Sequence, residues 1–173
     1  ANRNLSTKLP KGKGTRAVQF THPERQMFEE PPITKAEIGA FYTQIADFVL
    51  PDLIRRPLSM LRCPEGTAKT CFFQKHLTPG FGHAVREQRT GRKGELLPYI
   101  EDLEGLLGMV QMNVVEFHPW GAHVDDVERP DRLVFDLDPG TGVAWAQVVG
   151  GAREVRDRLG GLKLESSVRT SGG

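Results

Sequence analysis

Asp136 and Asp138 stand two residues apart in the run Arg132 to Asp138, RLVFDLD. Read as a strand, the run projects both carboxylates from one face, about 7 Å apart at Cα, where they converge on a cation. Two neighbouring anions repel each other, and a divalent ion relieves that cost. Such a pair suits a platform for two metal ions about 3.5–4 Å apart, stabilising the attacking and leaving oxygens of a phosphoryl transfer. Asp-x-Asp alone also serves plain solvation at strand ends, so its neighbours decide. His118 ends the run Glu116-Phe117-His118-Pro119-Trp120 on the same alternating face as Glu116. An imidazole there suits a metal-bound phosphate or a hydroxyl proton, whereas a lone histidine is more often satisfied by backbone. Ser171-Gly172-Gly173 follows a last apolar run and offers a hydroxyl and backbone N–H groups to a triphosphate, although Gly-rich stretches more often mean flexibility.

Charge sorts the chain in the same sense. Residues 1–100 carry 16 Lys and Arg against 9 Asp and Glu, and residues 101–173 carry 7 against 13, so the net charge of +1 hides two halves of opposite sign. A basic half suits a polyanion such as nucleic acid, and an acidic half suits divalent metal. Two solvated faces are the plain alternative. With 38% hydrophobic residues in 173, the chain can bury a core, which excludes a disordered tail. No apolar stretch approaches the ~20 residues of a membrane span, and the first residues lack the apolar centre of a signal peptide, so a soluble, intracellular (cytoplasmic) protein with no membrane partner is expected. Cys63 and Cys71 do not have zinc-ligand spacing and read as reduced packing thiols.

The elements that must hold these residues mix helices and strands without a repeat, which predicts an α+β (mixed α/β) fold. Residues 1–17, with Lys8, Lys11 and Lys13 among Pro and Gly, read as a flexible basic arm or linker. Thr34-x-x-Glu37 is a capping-box pattern, and Ile38, Phe41, Tyr42, Ile45, Phe48 and Val49 continue a helix that Pro51 should stop. Thr70 to Lys75 reads as a strand, and Pro79 to Gly94 as a mobile loop. Leu103, Leu106 and Leu107 mark a short helix. Asn113 to His118 is a strand with Val114, Glu116 and His118 on one face, and Arg132 to Asp138 is another. A helix with Trp145, Val148, Val149, Ala152, Val155 and Leu159 inward runs to a C-cap at Gly160, with a final strand from Leu162 to Thr170.

Three ordered blocks, Glu116 to Gly121 (EFHPWG), Glu128 to Pro139 (ERPDRLVFDLDP) and Val168 to Gly173 (VRTSGG), resemble the polymerase domain of bacterial DNA ligase D, in the archaeo-eukaryotic primase superfamily. The resemblance runs from about Val18 to Gly173, making residues 18–173 the N-terminal part of such a domain. It implies a primase-polymerase-like fold, a central mixed sheet flanked by helices and incomplete at the C-terminus. It implies Asp136, Asp138 and His118 as catalytic and metal-binding residues using Mn²⁺ or Mg²⁺, and Ser171 and Gly172 as nucleotide-binding. His22, Arg25 and Lys35 fall where the family grips the 5′-phosphate of a DNA end, with Arg25 in place of a lysine. Phe72 and Phe73 match an aromatic pair that packs on DNA bases, and residues 88–94 match a loop that handles the template strand. The activity implied is addition of NTPs, preferably ribonucleotides, or dNTPs to 3′ ends at DNA breaks in non-homologous end joining. Double-strand-break ends bearing a 5′-phosphate, Ku, and ligase or nuclease domains of the same polypeptide are the implied partners, in a nucleoid-associated setting.

The family continues past the serine-glycine run with a lysine and a histidine on the triphosphate and later a third carboxylate, so the chain is expected to be a catalytically incomplete fragment with uncovered apolar faces. The principal alternative is a non-catalytic module binding 5′-phosphorylated DNA ends. A metal-dependent glycosyl transfer has support only in Asp-x-Asp.

Overall fold

Thr34 opens the first helix as its spacing predicts. The Glu37 amide donates to Thr34 Oγ1, and the Glu37 carboxylate accepts from the Thr34 amide at 2.8 Å, closing a reciprocal cap. The computed structural model describes residues 18–90 and 94–169; the expected basic arm and Ser171-Gly172 lie outside the described residues. The chain divides into two units, Ala1–Arg132 and Leu133–Gly173.

The first unit runs β1 (Gln26–Phe28), β2 (Ile33–Thr34), α1 (Lys35–Gln44), α2 (Ala46–Leu53), β3 (Leu58–Arg62), β4 (Phe72–Gln74), β5 (Val85–Thr90), β6 (Glu95–Ile100), α3 (Leu103–Gln111) and β7 (Val114–Pro119). The class is α+β, as expected. Its strands form a hairpin β1–β2, a three-stranded sheet in the order β4-β3-β7, and a hairpin β5–β6, with every pairing among the described residues antiparallel. Alternation along β3 sends Leu58 and Met60 into the core and turns Ser59 and Leu61 to the other face.

Two clusters make the core. Leu53, Leu58, Met60, Val85, Ile100, Leu106, Met109 and Val114 draw α2, α3, β3, β5, β6 and β7 together. Met27, Ile38, Cys63 and Val110 join β1, α1 and α3. Tyr42 and Phe117 pack against both clusters and meet edge to face at 5.4 Å, a preferred geometry for aromatic rings.

Several local expectations are corrected. The helix expected from Thr34 to Pro51 breaks at Ile45, and Pro51 sits inside α2, three residues before its C-cap Ile54. Residues 85–90 of the expected mobile loop are the strand β5, which pairs over its whole length with β6; charged and polar side chains on an exposed hairpin face look like loop composition. Val114 does not share a face with Glu116 and His118. The β3–β7 register shifts between Leu61 and Arg62, opposing Arg62 to Val114 and Leu61 to Glu116, and the extra residue Val115 turns Val114 into the core. Cys63 and Cys71 form a disulfide, not two free thiols. The β3–β4 register Met60↔Gln74, Leu61↔Phe73, Arg62↔Phe72 continues to place Cys63 opposite Cys71, with Cα atoms 4.3 Å apart.

The second unit contains α4 (Trp145–Gly161). Val148, Val149, Gly151, Ala152, Val155 and Leu159 are its half-buried positions, so the expected stripe is present, but Trp145 is exposed and no α4 residue is buried. The helix does not end at Gly160. Leu162 is the C-cap and Lys163 takes the left-handed conformation (φ 61°). The Leu164 amide donates to the Leu159 carbonyl and the Lys163 amide to the Gly160 carbonyl, a Schellman closure with lysine where glycine is usual. The strands expected at Arg132 to Asp138 and Leu162 to Thr170 are not formed among the described residues. An extended segment becomes a strand only by pairing, and no ladder includes these residues.

Residues 121–132 form a loop closed at its neck. The Asp131 and Arg132 amides both donate to the Gly121 carbonyl, at 2.9 and 3.1 Å. A Cβ at Gly121 would collide with the Arg132 carbonyl oxygen, so only glycine permits the approach. Ala122 and Val124 are buried beneath the loop, and the Val124 amide donates to Arg55. Arg56, 3% exposed along its side chain, makes a two-pronged contact with Asp131, each nitrogen 2.7 Å from its oxygen. These hydrogen bonds hold the Asp131 carboxyl at about 2, below the ordinary 3.8. Because the folded-state pKa is the lower one, the unfolded chain takes up the proton first, and the stabilisation is lost as pH falls from about 4 through about 2. Asp131→Asn should cost about 1 kcal/mol at neutral pH, solvent screening of the half-exposed carboxylate included, and should flatten the acid limb of stability. Urea unfolding at stepped pH checks this; an acid limb identical to that of the unaltered chain would refute the assignment.

Candidate active site

β3 is paired on both sides, and this gathers the site of the first unit. On the face that carries Ser59 and Leu61, the register runs Phe73, Leu61, Glu116 in one row and sets Ser59 opposite His118 in the next. Phe73 and His118 meet with ring centroids 5.3 Å apart and planes inclined at 67°. His118 Nε2 lies 2.9 Å from Glu116 Oε2. All three side chains are exposed. The predicted DNA-packing phenylalanine and the predicted catalytic histidine are therefore neighbours on one open sheet face. The link between Glu116 and His118 follows from their two-residue spacing.

The two phenylalanines alternate, Phe72 on the face of Met60 and Phe73 on the face of Leu61, yet neither is buried. Phe73 is 63% exposed and Phe72 43%. Phe72 is held by Arg62, whose guanidinium carbon lies 5.6 Å from its ring centroid and 5.4 Å from that of Phe81. Arg62 Nε donates to the Met112 carbonyl at 2.9 Å and Nη1 to Gln74 Oε1 at 2.8 Å. Burial lowers the Arg62 pKa from its ordinary value. Sequence reading missed Arg62; its one available signal is an arginine inside a strand that otherwise alternates toward the core.

The predicted phosphate-binding residues also converge. The Arg25 amide donates to the His22 carbonyl and the Lys35 amide to the Arg25 carbonyl, at 3.0 and 2.9 Å. Lys35 is only 2% exposed, and its Nζ donates to the Thr21 and Gln111 carbonyls, both at 3.1 Å. Burial lowers its pKa first, the Arg25 charge lowers it further, and Glu24 opposes both. Arg25 is half-buried and donates to the Pro64 carbonyl; His22 is exposed, 3.5 Å from Glu24. The first amides of α1 are engaged: Lys35 with Arg25, Ala36 with Pro23 and Glu37 with Thr34. Any phosphate grip here belongs to side chains.

Asp136 and Asp138 lie in the second unit, exposed, on an extended segment outside any ladder. His118 belongs to the first unit. Among the described residues no three His, Cys, Asp or Glu side chains are gathered as a metal-holding group. Taken by chemistry alone, carboxylates suit Mn²⁺ and Mg²⁺ alike, and an imidazole suits Mn²⁺ better than Mg²⁺. Of the template-loop residues, Gln88 lies in β5 and donates from Nε2 to the Val124 carbonyl at 3.2 Å, and 91–93 fall outside the described residues. No described helix is long and apolar enough to cross a membrane.

Arg62→Met, which keeps bulk but deprives the Met112 carbonyl and Gln74 of their donor, should lower stability by about 1–3 kcal/mol. Thermal or urea unfolding checks it, and a stability unchanged within error would remove Arg62 from the supporting role.

Comparison with known proteins adds a second line of argument. A family model described as the LigD primase-polymerase domain matches residues 34–173. The multifunctional non-homologous end joining protein LigD of Pseudomonas aeruginosa is 36% identical over 163 residues, 92% of this chain and 19% of that protein. Its counterpart in Mycolicibacterium smegmatis is 35% identical, over 90% of this chain and 21% of that protein. The chain thus spans about a fifth of the length of these curated relatives. Among solved structures, the polymerase domain from Mycobacterium tuberculosis ligase D in complex with DNA superposes with a TM-score of 0.71 at 28% identity, covering 84% of this chain and 54% of that one. With its ordered motifs, its family match and this fold, the chain belongs to the LigD primase-polymerase domain family.

Proposed function

We propose that this chain is part of a nucleotidyltransferase that adds nucleotides, ribonucleotides by preference, to 3′ ends at DNA breaks during non-homologous end joining. The observation that carries the reading is the open face of the β4-β3-β7 sheet, where Phe73, His118 and Glu116 stand together in a chain of the LigD polymerase family. Phe73, projecting into solvent, offers a stacking surface to a base. His118 would bond a phosphate oxygen or accept a hydroxyl proton. Asp136, Asp138 and His118 would hold Mn²⁺ or Mg²⁺, which when bound polarises phosphate oxygens and lowers the pKa of a coordinated hydroxyl. Ser171 and Gly172, assigned through the family resemblance alone, would donate to the triphosphate of an NTP or dNTP. Ku and ligase or nuclease domains of a longer polypeptide are the partners that this reading implies.

Arg25, with Lys35 beneath it, would receive the 5′-phosphate of a DNA end, with His22 at the rim. A terminal phosphate carries more charge than an internal diester, so fixed cations prefer it through charge-assisted hydrogen bonds. The burial of Lys35 and the proximity of its charge to Arg25 also favour a second reading, a non-catalytic module for such ends.

Two measurements test the proposal. In calorimetry Mn²⁺ should bind, and Asp136→Ala with Asp138→Ala should abolish the binding; unchanged affinity would refute the carboxylate assignment. In fluorescence anisotropy at fixed salt, recessed duplexes with a 5′-phosphate should bind about 10-fold or more tightly than those with a 5′-hydroxyl, since charged hydrogen bonds are each worth about 1.5–3 kcal/mol. Arg25→Ala should remove the preference with the fold intact. Equal affinities for the two ends, falling together with salt, would mean a generally basic surface instead. Metal binding without end preference supports the transferase reading, and end preference without metal binding supports the module.

A further inference from the structure

We infer that Glu116 is a positioning residue that fixes His118 in the Nε2–H tautomer and so sets which ring nitrogen is free to act. This deepens the proposed function and rests on its placing of His118 at the reaction site. A carboxylate is an acceptor without a proton to give, so the 2.9 Å contact between Glu116 Oε2 and His118 Nε2 requires the hydrogen to sit on Nε2. In the neutral ring Nδ1 is then the nitrogen with the lone pair. A carboxylate accepting from one imidazole nitrogen, leaving the other free, is the arrangement in which metal-binding histidines are commonly oriented.

The fold sets the two side chains side by side. Glu116 and His118 project from the same face of β7, whose pairing with β3 sets Leu61 against Glu116 and Ser59 against His118. Phe73, from β4 on the far side of β3, closes on the His118 ring at 5.3 Å and limits its rotation. The imidazole is bracketed by a carboxylate and an aromatic edge, both carried by strands of a single sheet. Both Glu116 and His118 are about half exposed, so neither partner is needed to fill the core. A carboxylate spent on orienting an exposed ring is informative for that reason.

The test is long-range ¹H–¹⁵N spectroscopy of the histidine rings in the full 173-residue chain, at about pH 8, above the ordinary histidine range. The unaltered chain should show the Nε2–H pattern at His118. Glu116→Gln, which still accepts through its amide oxygen, should keep it. Glu116→Ala should move the two ring nitrogens toward the averaged shifts of free histidine. The same samples titrated with Mn²⁺ should show broadening at His118, with an apparent affinity about 10-fold weaker in Glu116→Ala and largely restored in Glu116→Gln. An Nδ1–H pattern in the unaltered chain, or a Glu116→Ala spectrum identical to it, would overturn the inference. Absence of Mn²⁺ broadening at His118 while the tautomer responds to Glu116 would instead overturn the reading on which it rests, so the two failures are distinguishable.

Discussion

The double pairing of β3 governs the first unit. Its five residues pair with β7, and three of them, Met60, Leu61 and Arg62, also pair with β4; their alternation does two jobs together. Leu58 and Met60 point into the larger core cluster, anchoring the sheet to α2 and α3. The opposite face, tied to the same backbone, brings a phenylalanine from β4 alongside a histidine from β7. A slip of one residue in either ladder would exchange the two faces. The core and the site thus depend on the same register, and selection for packing and for chemistry acts on the same hydrogen bonds.

Electrostatics in this unit follow a different logic from the one that net charge suggests. The basic excess of residues 1–100 is not spread as a uniform field. Arg56 is committed to Asp131, Arg55 to Asp125 and Glu101, Arg86 to Glu101, and Arg62 to carbonyls and rings. Lys35 is buried among carbonyl oxygens with Arg25 as its charged neighbour. Among the described residues, much of the positive charge is structural.

Residues governed by local rules were legible in the sequence, and those governed by partners were not. The Thr34–Glu37 cap, the helix of α3 and the strand of β7 rest on capping and short-range periodicity, and the sequence carries them. The disulfide was missed because its seven-residue spacing is uninformative until the β3–β4 register is known. The face assignment of Val114 failed at a bulge that no alternation pattern announces. Asp136 and Asp138 were identified by type and spacing, yet their expected strand needs a pairing partner that the described residues lack. For the site, residue identities came from motif and resemblance; the contacts of His118 with Phe73 and of Arg62 with Phe72 came only from tertiary pairing.

The glycine neck of the loop at residues 121–132 has a consequence for how such proteins vary. Its ends are brought together by two amides on a single carbonyl and locked by the Arg56–Asp131 pair, while Val124 and Asp125 are tied to Arg55, so length changes are confined to residues 126–130. Loop-closure entropy grows only slowly with length, by about 0.6 kcal/mol per doubling. Insertions and deletions between Asp125 and Pro130 should therefore be cheap, whereas any side chain at position 121 meets a backbone oxygen. Length drift on one side of a fixed glycine is the pattern that this geometry imposes on evolutionary change, and it makes the loop tip a natural place to graft an additional recognition element without disturbing the sheet.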